Sequence, residues 1–158
     1  MARTTSAGTR RKLYQQESDL CIITLLEFTS NELSNPIYLC DNNESVTHNS
    51  NVYQPYAFTF ILPPEEDSNA KTASLTIDNV DRTLTIAFRS IRQPLNLKTK
   101  YVDVTNPNVV EIGPFDFTLK DVEYNLETIT LSLEYLNYIQ KPAGTLRFSN
   151  LVFPGLYA

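Results

Sequence analysis

The strictest pattern in the chain is the alternation in "TITLSLEY", residues 128–135. Its odd-numbered positions are apolar and its even-numbered positions are polar or charged, from Thr128 to Tyr135. Successive side chains of a β-strand point to opposite faces, so this period predicts a strand with one face in the core and one toward solvent. Such half-covered strands are typical of antiparallel sheets.

Several other segments show strand patterns, and two show helical ones. The predicted strands are 20–29, a hairpin formed by 37–41 and 45–49, then 52–62, 70–80, 95–105 and 109–119. "TRRKLYQQESD" predicts a short helix that Thr9 can cap, and "DRTLTIAFRSIR" predicts a second one with Asp81 as its N-cap. Gly113 and Pro114 indicate a bulge or kink within the 109–119 strand.

Seven to nine strands with one or two short helices predict a mainly β fold, an antiparallel β-sandwich or barrel. With 158 residues the chain is long enough for one domain with its own core. We expect a basic leader with a short helix at 1–19, followed by a single β-rich domain at 20–158. This domain ends in an apolar tail, residues 142–158.

The stretch "YAFTFILPPEED", residues 56–67, is apolar up to two prolines and three acids. A continuous apolar run of this length is consistent with a strand covered on both faces. The prolines and acids that follow predict a turn with its carboxylates in solvent. We therefore expect a strand buried on both faces and then an exposed acidic turn.

The charge is divided unevenly along the chain. Residues 1–16 contain four basic residues and no acid, while the remaining 9 basic and 18 acidic side chains give the rest a charge of −9. An acidic body repels phosphate, so we expect no specific nucleic-acid binding. Arg10, Arg11 and Lys12 are candidates for contact with an anionic partner, although a solvated leader explains them as well.

The sequence shows no membrane-spanning segment and no secretory signal at its N-terminal residues. No apolar stretch approaches the roughly 18 residues needed to span a bilayer, which predicts no membrane insertion. The N-terminal residues lack the apolar run of a secretory signal, which indicates synthesis in the cytoplasm. In that compartment Cys21 and Cys40 are expected to be reduced, buried and not bonded to each other.

Residues that could perform chemistry are sparse. The one histidine, His48, lies in the polar sequence "THNSN", where we expect an ordinary surface side chain. Asp78 and Asp81 flank a predicted strand-to-helix junction and are explained by turn formation and capping. No nucleophile elbow, phosphate-binding loop or metal-ligand spacing is present in the sequence. The sequence therefore predicts a protein without enzymatic activity, cofactor or metal.

The last 17 residues are unusually apolar for a terminus. Chain ends are ordinarily polar and frayed, so an apolar end has to dock on its own body or on a neighbouring protein. Both alternatives are open from the residues alone. The side chains we expect at such a contact are Phe148, Leu151, Phe153, Leu156 and Tyr157.

A set of strand and turn motifs resembles a family of small, largely uncharacterised phage tail proteins. The motifs are "PIYL" at 36–39, "YQPYAF" at 53–58, "LP" at 62–63, "IDNVDR" at 77–82 and "FPGL" at 153–156. They cover the chain from about residue 20 to its end. Asn51 departs from the pattern, which has a turn glycine at this position.

The resemblance implies a structural protein of the tail tip or baseplate of long, flexible-tailed phages, located in the virion. It also implies a ring of identical copies, a hexamer or a trimer, that joins the tail tube or distal tail ring to the central hub. The expected partners are further copies of the chain and the distal tail, hub and tape measure proteins. Two alternatives are a tail-tube or tail-terminator subunit and a receptor- or carbohydrate-binding β-sandwich.

Overall fold

The structure, a computed structural model, describes residues 5–62, 72–79, 82–92 and 94–135. Within these ranges the chain forms two short helices and nine strands. In chain order they are α1 (Ala7–Leu13), β1 (Ile22–Thr29), β2 (Ile37–Cys40), β3 (Val46–His48), β4 (Asn51–Pro55), β5 (Phe58–Ile61), β6 (Thr72–Asp78), α2 (Thr83–Ser90), β7 (Asn96–Asp103), β8 (Asn106–Tyr124) and β9 (Thr128–Tyr135). The predicted mainly β fold with short helices is confirmed.

All nine strands join one sheet in the order β3-β4-β2-β1-β7-β8-β9-β6-β5. Every pairing is antiparallel except the short parallel pairing of β2 with β4. The alternation predicted for β9 is present, because Ile129, Leu131 and Leu133 are fully buried. They pair with the apolar positions of β6, so that Leu131 lies opposite Leu75. Matched apolar pairs fix the register of this part of the sheet.

β1 is covered on both faces. Ile23 and Leu25 belong to one apolar core, with Cys40, Val46, Tyr53 and Val102. Leu26 and Phe28 belong to a second and larger core, which includes the buried side chains of β6, β9 and α2. The strand predicted at 20–29 is therefore present, and both of its faces are buried.

The sheet curls around each core. Phe60 of β5 and Phe117 of β8 have ring centroids 5.5 Å apart although two strands separate β5 from β8 in the sheet. In a flat sheet that separation would be about 14 Å. At the other end His48 of β3 hydrogen-bonds to the carbonyl of Pro107 in β8, across four intervening strands. Each half is thus barrel-like, and β8 belongs to both.

Helix α2 lies over the larger core. Leu84 and Phe88 are buried, and the Phe88 ring contacts Phe28 of β1 at 5.2 Å between centroids. On its outer side the Arg89 guanidinium lies 4.9 Å from the ring centre of Tyr124. The helix begins after Arg82, which has a left-handed backbone and provides no side-chain cap. Asp81, the predicted cap, lies outside the described residues.

The predicted strand 52–62 is instead two strands, β4 and β5, which lie toward opposite ends of the strand order. β4 pairs with β2 and β3, whereas β5 pairs with β6 at the far edge. In β5 Phe58 and Phe60 are half-buried while Thr59 and Ile61 are exposed. The prediction of a strand buried on both faces is wrong, because β5 packs only the face of Phe58 and Phe60 on the larger core and exposes the other face. The acidic turn that follows lies outside the described residues.

Two further expectations are corrected. β2 and β3 do not form a hairpin with each other, because β4 lies between them and pairs with both. Cys21 is exposed rather than buried, since it precedes the first residue of β1, while Cys40 is buried as predicted. The two thiols are not bonded to each other, as expected. Burial raises the pKa of the Cys40 thiol above its ordinary value.

The bulge predicted at Gly113 is present. The register between β7 and β8 shifts there, with Thr99 opposite Phe115 and Tyr101 opposite Ile112. Gly113 has a φ of 106°, and a Cβ at this position would lie 3.0 Å from the main-chain oxygen of Thr99. A side chain is therefore excluded by both conformation and contact.

We predict that Gly113→Ala lowers the free energy of unfolding by about 1–3 kcal/mol, because alanine resists this backbone conformation and meets the Thr99 oxygen. Urea denaturation measures the loss. Gly8→Ala is the matched control, because Gly8 is an exposed helical residue whose added Cβ meets nothing closer than 3.7 Å. This control should stabilise the protein by up to about 1 kcal/mol. Equal effects of the two substitutions would contradict the assignment of the bulge.

Candidate functional site

Helix α1 docks on the start of β8 through one polar face. Ser6, which caps the helix, Thr9 and Lys12 are spaced three residues apart and face the sheet. Thr9 is the only buried residue of the helix. The predicted cap, Thr9, lies instead within the first turn of the helix. Its main-chain N–H donates a hydrogen bond to Ser6 Oγ at 3.2 Å. No buried apolar side chain of α1 contributes to this contact.

Two buried carboxylates lie under α1. Asp103, at the end of β7, is 3% exposed, and Glu111 of β8 is 4% exposed. The Lys12 ammonium donates to Asp103 Oδ2 at 2.6 Å and to Thr105 Oγ1 at 2.7 Å. The main-chain N–H of Ser6 donates to Glu111 Oε2 at 2.8 Å. Buried charges need such partners, so the helix is held in place by the groups that it neutralises.

The pKa values of both carboxyls reflect this environment. Burial alone would raise the pKa of Asp103, but hydrogen bonds from Lys12 and Thr105 and the Lys12 charge outweigh it and lower the pKa below its ordinary value. Burial likewise opposes the hydrogen bonds from Ser6 and Thr9 at Glu111, and its pKa is also lowered. The charge of Asp103 raises the Glu111 pKa slightly against this trend. Both groups are therefore held as carboxylates.

The predicted contact residues separate into three groups. Arg10 and Arg11 are exposed on the outer side of α1 and available to a partner. Lys12 is engaged with Asp103 within the same chain. The five apolar residues of the tail, Phe148, Leu151, Phe153, Leu156 and Tyr157, lie outside the described residues, and their role stays a prediction.

The edge formed by β5 is the open edge of the sheet in the described part of the chain. No described strand pairs with its outer side. Residues 56–62 contain no charged side chain, and Ile61 is 62% exposed and Leu62 40% exposed. Edge strands are ordinarily protected by lysines, prolines or a covering element. An uncharged apolar edge offers both main-chain hydrogen bonds and apolar surface to another chain.

The opposite edge, β3, is closed. Its His48 side chain is buried, with Nδ1 bonded to the Pro107 carbonyl and Nε2 3.1 Å from the Asn49 side-chain nitrogen. A carbonyl only accepts hydrogen bonds, so Nδ1 carries the proton. The expectation of an ordinary surface histidine is wrong, because β3 folds over onto β8. Among the described strands, β5 and not β3 therefore has an edge that no other described strand covers.

The described residues contain no convergent chemical site. Asp78 borders an open depression of about 430 Å³ together with Asn79, Glu127 and Thr128. A second open depression, about 460 Å³, lies between residues 41–43 and 55–57. No cluster of three His, Cys, Asp or Glu side chains suited to a metal occurs in these ranges. Neither helix in the described ranges has the length and apolarity to cross a membrane.

Sequence reasoning missed Asp103 and Glu111, although a signal was present. Both acids lie within strand patterns on either side of the turn "TNPN". An acid at an inward strand position needs a base, and the leader supplies a group of bases with no acid among them. Pairing the two observations would have placed the leader against the body.

Comparisons with known proteins concern both family and fold. The family described as "Domain of unknown function (DUF1833)" matches residues 8–148. No curated protein matches the chain. Among solved structures, a chain from "Virion of native gene transfer agent (GTA) particle" is similar with a TM-score of 0.66 and 10% identity. The similarity covers 90% of the present chain and 49% of the other, so the protein spans about half of that chain's length.

We predict that the two carboxylates under α1 make stability depend on pH. Their folded-state pKa values lie below the ordinary 3.8 and 4.5. The stabilisation is therefore complete above about pH 5 and is lost as the pH falls through the folded-state values. Urea denaturation should show a steeper loss of stability below about pH 5 in the wild type than in Asp103→Asn/Glu111→Gln.

At neutral pH the double variant should be less stable by about 1–3 kcal/mol, because charged hydrogen bonds are lost. Asp116→Asn is the control, because Asp116 is exposed and its ion pair with Lys98 is 3.9 Å long. This control should change stability by less than about 1 kcal/mol and keep the wild-type pH slope. A double variant with the wild-type slope would show that α1 is held by something other than these carboxylates.

Proposed function

The chain belongs to the family described as "Domain of unknown function (DUF1833)", and from its fold and its open sheet edge we propose that it is a structural protein of a phage virion. In this proposal its location in the virion is the tail tip or baseplate. There it forms part of a ring that joins the tail tube or distal tail ring to the central hub. It has no enzymatic activity in this role, and it is made in the host cytoplasm.

The observation that carries the proposal is the fold shared with a chain of a virion particle. The motifs at 36–39, 53–58 and 77–82, which resemble phage tail proteins, support the same class of function. These motifs fall on β2, on β4 with the start of β5, and on the end of β6. Fold and sequence thus support the proposal independently.

A ring of identical copies needs two different contact surfaces on each copy. The edge of β5 supplies one of them, because it accepts an added strand. The second surface has to come from another part of the chain, and the apolar tail at 142–158 is suited to it by composition. Its anchors in this proposal are Phe148, Phe153 and Leu156. The neighbouring tail proteins are the distal tail, hub and tape measure proteins.

The charge of the protein favours β5 as the place of contact. Each copy carries a net charge of −5, so acidic surfaces repel one another when copies approach. Residues 56–62 carry no charge, so the strand itself adds nothing to this repulsion. Ile61 is 62% and Leu62 40% exposed, so burying the exposed parts would together contribute about 1.5–3 kcal/mol. This gain would recur at every contact of the ring and would add to the main-chain hydrogen bonds of a joined edge.

The position in the particle is tested by labelling. We expect gold directed against a peptide tag on this protein to bind at one end of the tail in electron micrographs of particles carrying it. The tag should follow Ala2, because the first two residues have no role in the proposed contacts. Label along the whole tail would support a tube subunit, and label on side fibres a receptor-binding module. Particles without the protein would contradict the proposal.

A substitution that adds one charge tests whether the edge of β5 is a contact between proteins. We predict that Ile61→Lys leaves the protein folded, because the side chain is exposed, but reduces incorporation into particles at least tenfold. A lysine on an edge strand opposes strand addition. Ile86→Lys is the matched control, because Ile86 is 70% exposed and lies on helix α2 rather than on a sheet edge. Circular dichroism checks folding, and immunoblots of purified particles measure incorporation. Normal incorporation of Ile61→Lys would exclude β5 as a contact.

A further inference from the structure

The segment between α1 and β1 is longer than its path requires. Lys12 contacts Asp103, and Ile22, the first residue of β1, is paired with the same Asp103. Residues 14–21 therefore leave the neighbourhood of Asp103 and return to it. Eight residues span up to about 29 Å when extended. This segment, which we call the linker, thus has length that docking in the same chain does not use.

The linker is also loosely attached. In the described part of the chain its hydrogen bonds are local, from Tyr14 to Arg11, from Gln15 to Lys12 and from Leu20 to Ser18. The first bond to the sheet is the one that the Cys21 carbonyl accepts from Val104 at 2.9 Å. Leu13 is 58% exposed and Tyr14 is 91% exposed. Before Cys21, the described part of the chain shows no hydrogen bond from the linker to the sheet, so this stretch can change its path without losing one.

The site that α1 fills, by contrast, has to be filled. Asp103 and Glu111 are buried carboxylates whose partners include Lys12 and the main-chain N–H of Ser6. An empty site would leave them without these partners, which is unfavourable for buried charge. The site does not distinguish the α1 of its own chain from the identical α1 of another copy.

We propose that in the assembled protein α1 docks on the Asp103–Glu111 site of a neighbouring copy. This proposal rests on the proposed function, because exchange requires copies held side by side. Every site and every helix stays paired, so exchange loses no polar contact and links each copy to the next. A linker that holds α1 near the neighbouring site gives it a high effective concentration there. Leu13 and Tyr14, exposed in the single chain, become buried between copies, which favours the exchanged arrangement.

The 2.6 Å pair of Lys12 and Asp103 allows a direct test in the unmodified protein. A carbodiimide joins an ammonium and a carboxylate in contact into an amide with loss of water. Copies labelled with ¹⁵N and unlabelled copies are mixed, assembled and cross-linked, and the Lys12–Asp103 peptides are analysed by mass spectrometry. We expect mixed-isotope peptides at the share that random neighbours give. Separate, unassembled copies should give single-isotope peptides.

Two variants control the experiment. Lys12→Arg keeps the ion pair but does not react, so it should lose the cross-linked peptide in every sample. Deletion of residues 15–18 leaves a linker that reaches its own site but spans only about 14 Å. It should keep the single-isotope peptide and lose the mixed one.

The outcomes separate this inference from the proposed function. An assembly that contains only single-isotope peptides overturns the exchange and leaves the structural role standing. A mixture that neither assembles nor gives mixed-isotope peptides overturns both. Mixed peptides that persist in the 15–18 deletion would show that they arise by collision between copies, and would also overturn the exchange.

Discussion

Burial of β1 on both faces is the constraint on which the rest of the structure depends. Ile23 and Leu25 on one face and Leu26 and Phe28 on the other each require a separate core. A single flat sheet cannot cover both faces without further layers, so the sheet curls in opposite directions on its two sides. The hydrogen bond of His48 to the Pro107 carbonyl and the contact of Phe60 with Phe117 both follow from this arrangement.

The same arrangement determines where polar groups can be accommodated. The turn between β7 and β8 emerges beside the start of β1, and it brings Asp103 and Glu111 to a place that the sheet alone does not cover. Helix α1 covers this place with hydrogen-bond donors instead of apolar side chains. A contact made of charged hydrogen bonds is specific in geometry and contributes little apolar burial. This combination suits an element that must return to one site and still be able to leave it.

Local sequence patterns predicted the helices and strands well, but they predicted poorly which strands lie next to one another in the sheet. The alternation of β9, the helical period of α2 and the bulge at Gly113 each depend on residues close in sequence, and all three are present. The path of the chain after Pro55 depends on which strands lie beside it, and no local pattern contains that information. β5 therefore appeared as the end of a long buried strand, whereas it forms the far edge of the sheet. His48 and Cys21 were misplaced for the same reason.

The length of β8 has a mechanical consequence. Its 19 residues pair with β7 over the first part and with β9 over the second, so this strand connects the parts of the sheet on either side of it. A force along the strand loads many hydrogen bonds at the same time, since they lie across the direction of pull. A force that peels β5 from the edge loads its few bonds one after another. The protein is therefore built to resist tension along β8 and to yield first at β5.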